Sequence, residues 1–247
     1  MKKKQVQRLV AFSLATMMTL QGLSVNASGQ VQVRTDSNTQ MSSDKEVVYV
    51  NTYDTSKRVH DFDANWKFYL GDADGAEAVN FDDSAWRTVS VPHDYSIEQE
   101  YTQSGEAESG YLPGGTGWYR KHFTLTEDMK DKEIRLDFGG VYMNATVWVN
   151  GTQLGTHPYG YTPFSFDITD YVKAGEENVI TVKVDHQTPS SRWYSGSGIY
   201  RSVDLTVMDK VHVDLNGTKI ATPNLAKEKD GDVNMDIVTT VANEEKE

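Results

Sequence analysis

The loop between residues 190 and 201 holds the densest group of side chains suited to ligand binding in this chain. It reads Ser190-Ser191-Arg192-Trp193-Tyr194-Ser195-Gly196-Ser197-Gly198-Ile199-Tyr200-Arg201. The rings of Trp193 and Tyr194 offer flat apolar faces for the C–H side of a pyranose, and Arg192 offers fixed donors. Glycines let the backbone approach a ligand closely. This composition indicates a saccharide-binding loop, with packing between domains as the alternative role of the two rings.

Three other patterns give only weak signals for metal or phosphate binding. Asp72-Ala73-Asp74-Gly75 resembles the start of a calcium loop, but position twelve is Asp83 rather than Glu, which favours a solvated acidic turn. The six histidines lack paired zinc spacing. Gly114-Gly115-Thr116-Gly117 lacks the lysine and the following helix of a phosphate-binding loop. The sequence therefore predicts neither a metal site nor a cofactor.

Composition excludes several classes of function. The chain has 247 residues, a net charge of −12 and no cysteine. Nucleic-acid binding needs a basic surface, so nucleic acid is not an expected partner. Disulfides and thiolate chemistry are excluded outright.

The N-terminus has the pattern of a secretory signal peptide over residues 1–27. Lys2, Lys3, Lys4 and Arg8 precede an apolar run from Leu9 to Leu23, and Val25-Asn26-Ala27 fits a cleavage site near Ala27. An uncleaved anchor is the alternative, although the run is shorter than the ~20 residues that span a bilayer. We expect bacterial secretion, no membrane span after cleavage, and a flexible polar spacer over residues 28–58.

From residue 59 onward the chain shows the alternation of short strands. Apolar residues alternate over 133–138, 147–149, 178–185 and 203–207, and Asn150-Gly151 is a strong hairpin signal. No amphipathic helix of ten or more residues is expected outside the signal peptide. These patterns predict an all-β fold, a sandwich or jelly roll, over residues 59–208.

A second unit is predicted over residues 211–247. Val211, Val213 and Leu215 alternate, Asn216-Gly217 is expected to turn the chain, and alternation resumes from Val233. An immunoglobulin-like sandwich needs about 100 residues to close its core. This segment is therefore predicted to be the truncated start of such a domain.

Seven landmarks occur in order along residues 59–208. They are Phe81–Trp86, Val91–Ile97, Gly117–Phe123, Phe138–Met143, Val147–Gly151, Phe164–Thr169 and the loop Arg192–Arg201. Together they resemble the N-terminal sugar-binding jelly roll of glycoside hydrolase family 2, a galactose-binding-like β-sandwich, with secreted bacterial β-galactosidases the most similar members.

The resemblance implies a larger enzyme in which a (β/α)8 barrel carries two catalytic glutamates of a retaining mechanism. A barrel takes about 250 residues, so none is expected in this chain. Asn243-Glu244 matches the dipeptide of the acid/base residue only superficially. We assign no catalytic residue here, expect the chain to be inactive alone, and expect the missing barrel to be its intramolecular partner.

The resemblance also implies a set of substrate-binding residues: Asp94, Arg192, Trp193 and Tyr194. Asp94 occupies the position of a galactose-hydroxyl ligand, with the capping of a turn as its alternative role. Arg192 is expected to pair with a carboxylate, since Ser190 and Ser191 stand where some members place an acidic ligand. Arg201 is expected to be structural.

The leading hypothesis is the carbohydrate-binding N-terminal portion of a secreted glycoside hydrolase similar to β-galactosidases. A stand-alone secreted carbohydrate-binding or adhesin-like module is the alternative. A scaffold without sugar affinity of its own is a third hypothesis.

Overall fold

A computed structural model describes residues 23–25, 31–33, 57–227 and 233–245 of the chain. Most of the predicted signal peptide (1–27) and spacer (28–58) lies outside the described residues. Within those segments, the short strands β1 (Leu23–Val25) and β2 (Val31–Val33) pair antiparallel.

Ten strands form a two-layer sandwich over residues 59–208. They are β3 (Val59–Asp61), β4 (Trp66–Leu70), β5 (Arg87–Val89), β6 (Gly115–Thr124), β7 (Glu133–Phe138), β8 (Ala145–Val149), β9 (Thr152–His157), β10 (Phe164–Asp167), β11 (Glu177–His186) and β12 (Val203–Met208). One sheet has the order β10-β7-β12-β3, and the other has the order β5-β4-β6-β11-β8-β9. The predicted all-β sandwich is confirmed.

Helical structure in the described residues is limited to two 3₁₀ turns, Glu127–Met129 and Thr169–Tyr171. No helix in this part of the chain has the length and apolar character needed to cross a membrane.

The core lies between the two sheets and follows from the alternation in the sequence. In β7, Ile134, Leu136 and Phe138 are buried while the residues between them are partly exposed. In β11, Ile180 and Val182 are fully buried against them from the other sheet. In a sandwich each sheet turns one apolar face inward, and the side chains of the two inner faces pack together as the core.

Strand β6 is buried on both faces. Tyr119 and Phe123 enter the main core, whereas Trp118 lies in a second cluster with Ala76 and Trp86 on the outer face. Loop 71–86 therefore covers this part of the six-stranded sheet.

The outer face of β6 also carries a buried ion pair. Arg120 is 0% exposed, and its Nε donates to Asp83 Oδ2 over 2.7 Å. His122 Nε2 lies 2.8 Å from the same carboxylate oxygen. A buried arginine is tolerated when it is paired and hydrogen-bonded in this way. The ion pair fastens loop 71–86 to the sheet.

The two Asn-Gly pairs behave differently. Asn150 and Gly151 have φ values of 48° and 79° and connect β8 to β9, which confirms the predicted hairpin turn. Asn216 also has a positive φ of 55°, but it lies inside β13 (Val211–Ala221). The register of β13 against β14 (Asp236–Asn243) shifts between Val213 and Thr218. The predicted turn at Asn216-Gly217 is therefore wrong, because residues 214–217 lie opposite Thr240 alone and form an irregular insertion within β13 that does not end the strand.

The β13–β14 ribbon extends beyond the sandwich and exposes an apolar face. Val213 is paired with Val241 and Ile220 with Ile237, and all four are exposed. Its assignment to an immunoglobulin-like domain remains a prediction.

Candidate functional site

Four loops meet at the end of the sandwich where β7 and β11 finish and β12 begins. The backbone N–H of His93 donates to Ile199 O over 2.7 Å, and that of Tyr95 donates to Ser197 O over 2.9 Å. These bonds place the two loops predicted to bind sugar side by side. The four loops are residues 90–114, 139–144, 158–163 and 187–202.

Asp94 connects these two loops through its carboxylate. Its Oδ1 accepts hydrogen bonds from the backbone N–H of Ser96 at 2.9 Å and of Ser197 at 2.8 Å. Its Oδ2 accepts a hydrogen bond from the hydroxyl of Tyr194. The bond to Ser96 is the turn cap considered from the sequence, and the other two are long-range contacts that the sequence did not reveal.

The same carboxylate has room for a ligand. An ionised carboxylate offers about four acceptor sites, and the described contacts use three. Asp94 is half-buried, and Oδ2 accepts only the Tyr194 hydroxyl among the described residues, which leaves one acceptor site on that oxygen. Capping and ligand binding are therefore compatible roles for this residue.

Tyr194 is held by Asp94 in its neutral form. Burial raises the pKa of the Tyr194 phenol, and the hydrogen bond to the Asp94 carboxylate raises that pKa further. The ring nevertheless stays 42% exposed. Its hydroxyl is fixed while its face remains open to a ligand.

Trp193, the residue before Tyr194, is an exposed ring held by a tyrosine of a neighbouring loop. Trp193 is 60% exposed, and its Nε1–H donates to the hydroxyl of Tyr161 over 2.8 Å. The ring centroid of Tyr161 lies 6.4 Å from that of Trp193 and 5.6 Å from that of Tyr159. A fixed, solvent-facing indole suits the stacking of a saccharide.

Arg192 is exposed, and its side chain makes no hydrogen bond or ion pair within the described part of the chain. Its guanidinium therefore has its five N–H donors available.

A buried polar group supports the loop from beneath. His186 Nδ1 contacts the hydroxyl of Ser197, and His186 Nε2 lies 3.0 Å from the hydroxyl of Ser190. Ser197 also contacts the hydroxyl of Ser96, and Ser190 accepts a hydrogen bond from Tyr142 at 3.1 Å. Burial lowers the pKa of His186, which keeps the imidazole neutral with one donor and one acceptor nitrogen. These bonds fix both ends of the 190–197 segment.

The structure thus brings Asp94 and Tyr194 into contact, directs Trp193 to Tyr161, and leaves Arg192 exposed on the same loop. Sequence reasoning missed Tyr161 and His186, which position that loop. The aromatic pair in Tyr159-Gly160-Tyr161 was a visible signal in the sequence, whereas nothing local marked His186.

The remaining sequence candidates were a metal site and Arg201. Among the described residues, no group of three or more His, Cys, Asp or Glu side chains is placed to hold a metal ion. The guanidinium of Arg201 lies over the Tyr200 ring at 5.2 Å, and its Nη1 donates to Gly139 O over 3.4 Å.

The fold is that of a two-sheet β-sandwich domain with exposed aromatic side chains in the loops at one end. Residues 59–209 match the sequence profile of a family described as "Glycosyl hydrolases family 2, sugar binding domain". The chain belongs to this family, as the landmark motifs predicted, and contains its sugar-binding domain.

Individual relatives support the same assignment. The β-galactosidase BoGH2A of Bacteroides ovatus is 45% identical over 187 residues, which cover 74% of this chain and 22% of that enzyme. A putative β-glucuronidase of Formosa agariphila is 42% identical over 171 residues, covering 68% and 16%. The crystal structure of a β-glycosidase from Bacteroides vulgatus has a TM-score of 0.71 at 39% identity, covering 77% of this chain and 25% of that one. The chain therefore spans a quarter or less of the length of these relatives.

Proposed function

We propose that this chain is the N-terminal carbohydrate-contact portion of a secreted, retaining glycoside hydrolase that acts on β-galactosides. The observation that carries the proposal is the Asp94 carboxylate, whose Oδ1 accepts from two backbone N–H groups and whose Oδ2 accepts, within the described residues, only from Tyr194, the residue that follows the exposed Trp193.

Asp94 and Trp193 supply complementary parts of sugar recognition. The Asp94 carboxylate accepts a hydrogen bond from a sugar hydroxyl, and the indole of Trp193 packs against the C–H face of the ring. Tyr194 and the support from Tyr161 hold both groups in place, so little side-chain freedom is lost on binding. A neutral galactoside suits this arrangement, because a sugar that carries a carboxylate of its own would be repelled by the Asp94 carboxylate.

In this proposal two carboxyl groups of a separate catalytic domain perform the chemical step. In a retaining mechanism one carboxylic acid protonates the glycosidic oxygen while a carboxylate attacks the anomeric carbon, and water then releases the sugar. In this proposal Asp94 and Trp193 hold the sugar for that step. Arg192 pairs with a carboxylate of the catalytic domain.

The test is isothermal titration of the full-length chain with galactose and lactose, with a chromogenic β-galactoside assay on the same sample. We expect saturable binding, no turnover above a mock preparation, and weaker binding by Trp193→Ala. Tyr171→Ala is the matched control, because Tyr171 is also exposed (41%) but lies at the opposite end of the sandwich. Turnover by the chain alone, or equal losses in both variants, would contradict the proposal.

A stand-alone binding or adhesin-like module is the second candidate, favoured by the 60% exposure of Trp193 without any partner domain. The two candidates differ in the DNA that follows the codon for Glu247. An open frame encoding a barrel supports the hydrolase, and a stop codon followed by an unrelated gene supports the module.

Export is tested separately. Expression of the full-length gene in a bacterial host should deliver the chain to the culture fluid or periplasm, with Ser28 as the new N-terminal residue. Retention in the cytoplasm with Met1 intact would contradict the signal-peptide assignment.

A further inference from the structure

A cavity lies at the other end of the sandwich from the Asp94 loop. It has a volume of about 550 Å³ and opens between the sandwich and the start of β13. The six residues of β12 run from Val203 beside the sugar-contact loops to Met208 at the cavity wall. Six strand residues span about 20 Å, so this cavity is separate from the site already described.

The cavity wall is rich in basic side chains, although the whole chain has a net charge of −12. Its two carboxylates are Asp128 and Asp209. Asp209 forms an ion pair with Lys132, so these two charges offset each other. The basic residues that line the cavity are Lys57, Arg58, His60, Lys132 and His212.

Arg58 is the side chain best placed to receive an anion. One terminal nitrogen, Nη2, donates to Val213 O at 3.0 Å and contacts Met208 Sδ at 2.9 Å. These contacts hold the guanidinium at the boundary between the sandwich and β13. Neither partner is a carboxylate, and Nε and Nη1 make no hydrogen bond within the described part of the chain. A guanidinium with two open donors matches the oxygens of a sulfate or phosphate.

The imidazole of His212 also lines the cavity. Its Nδ1–H donates to Asp209 O over 2.8 Å, because a carbonyl oxygen can only accept. In the neutral ring Nε2 is then an acceptor, so it suits a hydroxyl of the sugar that carries the anion rather than the anion itself. Apolar side chains complete the wall, since Met129, Val207 and Val211 also line it.

We propose that this cavity binds a tetrahedral oxyanion, free or carried on a small saccharide, with Arg58 as its principal ligand. A volume of this size exceeds the need of a bare ion and falls within the range of small-molecule sites. The apolar wall accommodates the body of a sugar, and the basic side chains face its charged group. Asp128 opposes binding, because its carboxylate lies in the same wall.

The test is titration of the full-length chain with inorganic sulfate, inorganic phosphate and galactose 6-sulfate, each against chloride at equal ionic strength. We expect saturable binding of the oxyanions and none of chloride. If galactose 6-sulfate binds more tightly than inorganic sulfate, the ligand of the cavity is an oxyanion attached to a saccharide. If the two affinities are equal, the ligand is the free inorganic oxyanion.

Three variants test the location of the site. Arg58→Gln should weaken oxyanion binding by about three- to tenfold, the effect of one partly exposed charge. Lys219→Gln removes the same charge from the exposed face of β13 and should have no effect. Asp128→Asn should tighten binding, which keeps the test decisive if Arg58→Gln loosens the ribbon and fails to fold.

The outcome is distinguishable from that of the sugar site. Trp193→Ala should leave oxyanion affinity unchanged, and Arg58→Gln should leave galactose affinity unchanged. No binding above chloride, or equal losses for Arg58→Gln and Lys219→Gln, would overturn the proposal. An unchanged affinity in Asp128→Asn would overturn it as well.

Discussion

Two substitutions at Asp94 separate its role in the fold from its role in sugar binding. Asp94→Ala removes the acceptor of two backbone N–H groups, those of Ser96 and Ser197, and of the Tyr194 hydroxyl. A hydrogen bond to a charged group contributes about 1.5–3 kcal/mol, and the amides left behind are shielded from water. The two amide bonds therefore predict a loss of about 3–6 kcal/mol in the free energy of unfolding.

Asp94→Asn keeps most of this stability. Its side-chain oxygen can still accept from both amides, and its NH2 group can donate to the Tyr194 oxygen. The expected loss of stability is about 1 kcal/mol, from the exchange of charged for neutral hydrogen bonds. Sugar affinity should nevertheless fall about five- to tenfold, because a charge-assisted acceptor is lost at the ligand.

The assay is urea unfolding of the full-length chain followed by tryptophan fluorescence, with galactose titration of each folded variant. Asp170→Asn is the matched control, because it removes an exposed carboxylate at the opposite end of the sandwich. Equal loss of stability in Asp94→Ala and Asp94→Asn would refute the capping geometry. Full sugar affinity in Asp94→Asn would refute the need for a charged ligand.

Three further predictions concern the scaffold. Burial lowers the pKa of Lys121 to about 8, below its value in the unfolded chain. The unfolded chain therefore binds more protons than the folded one between about pH 7 and about pH 10, and the wild type should gain stability as pH rises through this range. Lys121→Met should abolish that gain in urea midpoints measured across this range, and a persisting gain would refute the assignment. The hydrogen bond to Asp83 raises the pKa of His122, so the charged imidazole stabilises the fold below pH ~6.5 and this contribution is lost as pH rises through the folded pKa. His122→Gln should therefore cost more stability at about pH 5.5 than at about pH 9 by the same assay, and equal costs would contradict the ion pair. Gly196 has a φ of 75°, and a Cβ there would lie 2.8 Å from Asp94 Oδ2. Gly196→Ala should lower the melting temperature and weaken galactose binding together, whereas a change in only one would separate the loop conformation from the site.

The sequence alone determined the fold class, because strand formation depends on local alternation. Residues 133–138 alternate in the sequence and in their burial, since every second side chain of a strand points to the same face. The hairpin at Asn150-Gly151 was equally predictable, since its residues tolerate positive φ. The second pair, Asn216-Gly217, had the same local signal and was misread. A residue with positive φ can end a strand in a turn or lie in an irregular part of a continuous strand. The pairing of the partner strand decides between the two.

The site was only partly determined by the sequence. The types of residues in the 190–201 loop indicated a ligand, and the family motifs singled out Asp94. Only the tertiary structure showed that Asp94 Oδ1 accepts from the amide of Ser197, 103 positions away, and that Trp193 is held by Tyr161. The basic cavity was likewise invisible, because Arg58 and His212 are far apart in the chain and meet only when β3 and β12 pair. Local patterns fix the strands, but contacts between loops depend on which strand ends the two sheets bring to the same edge.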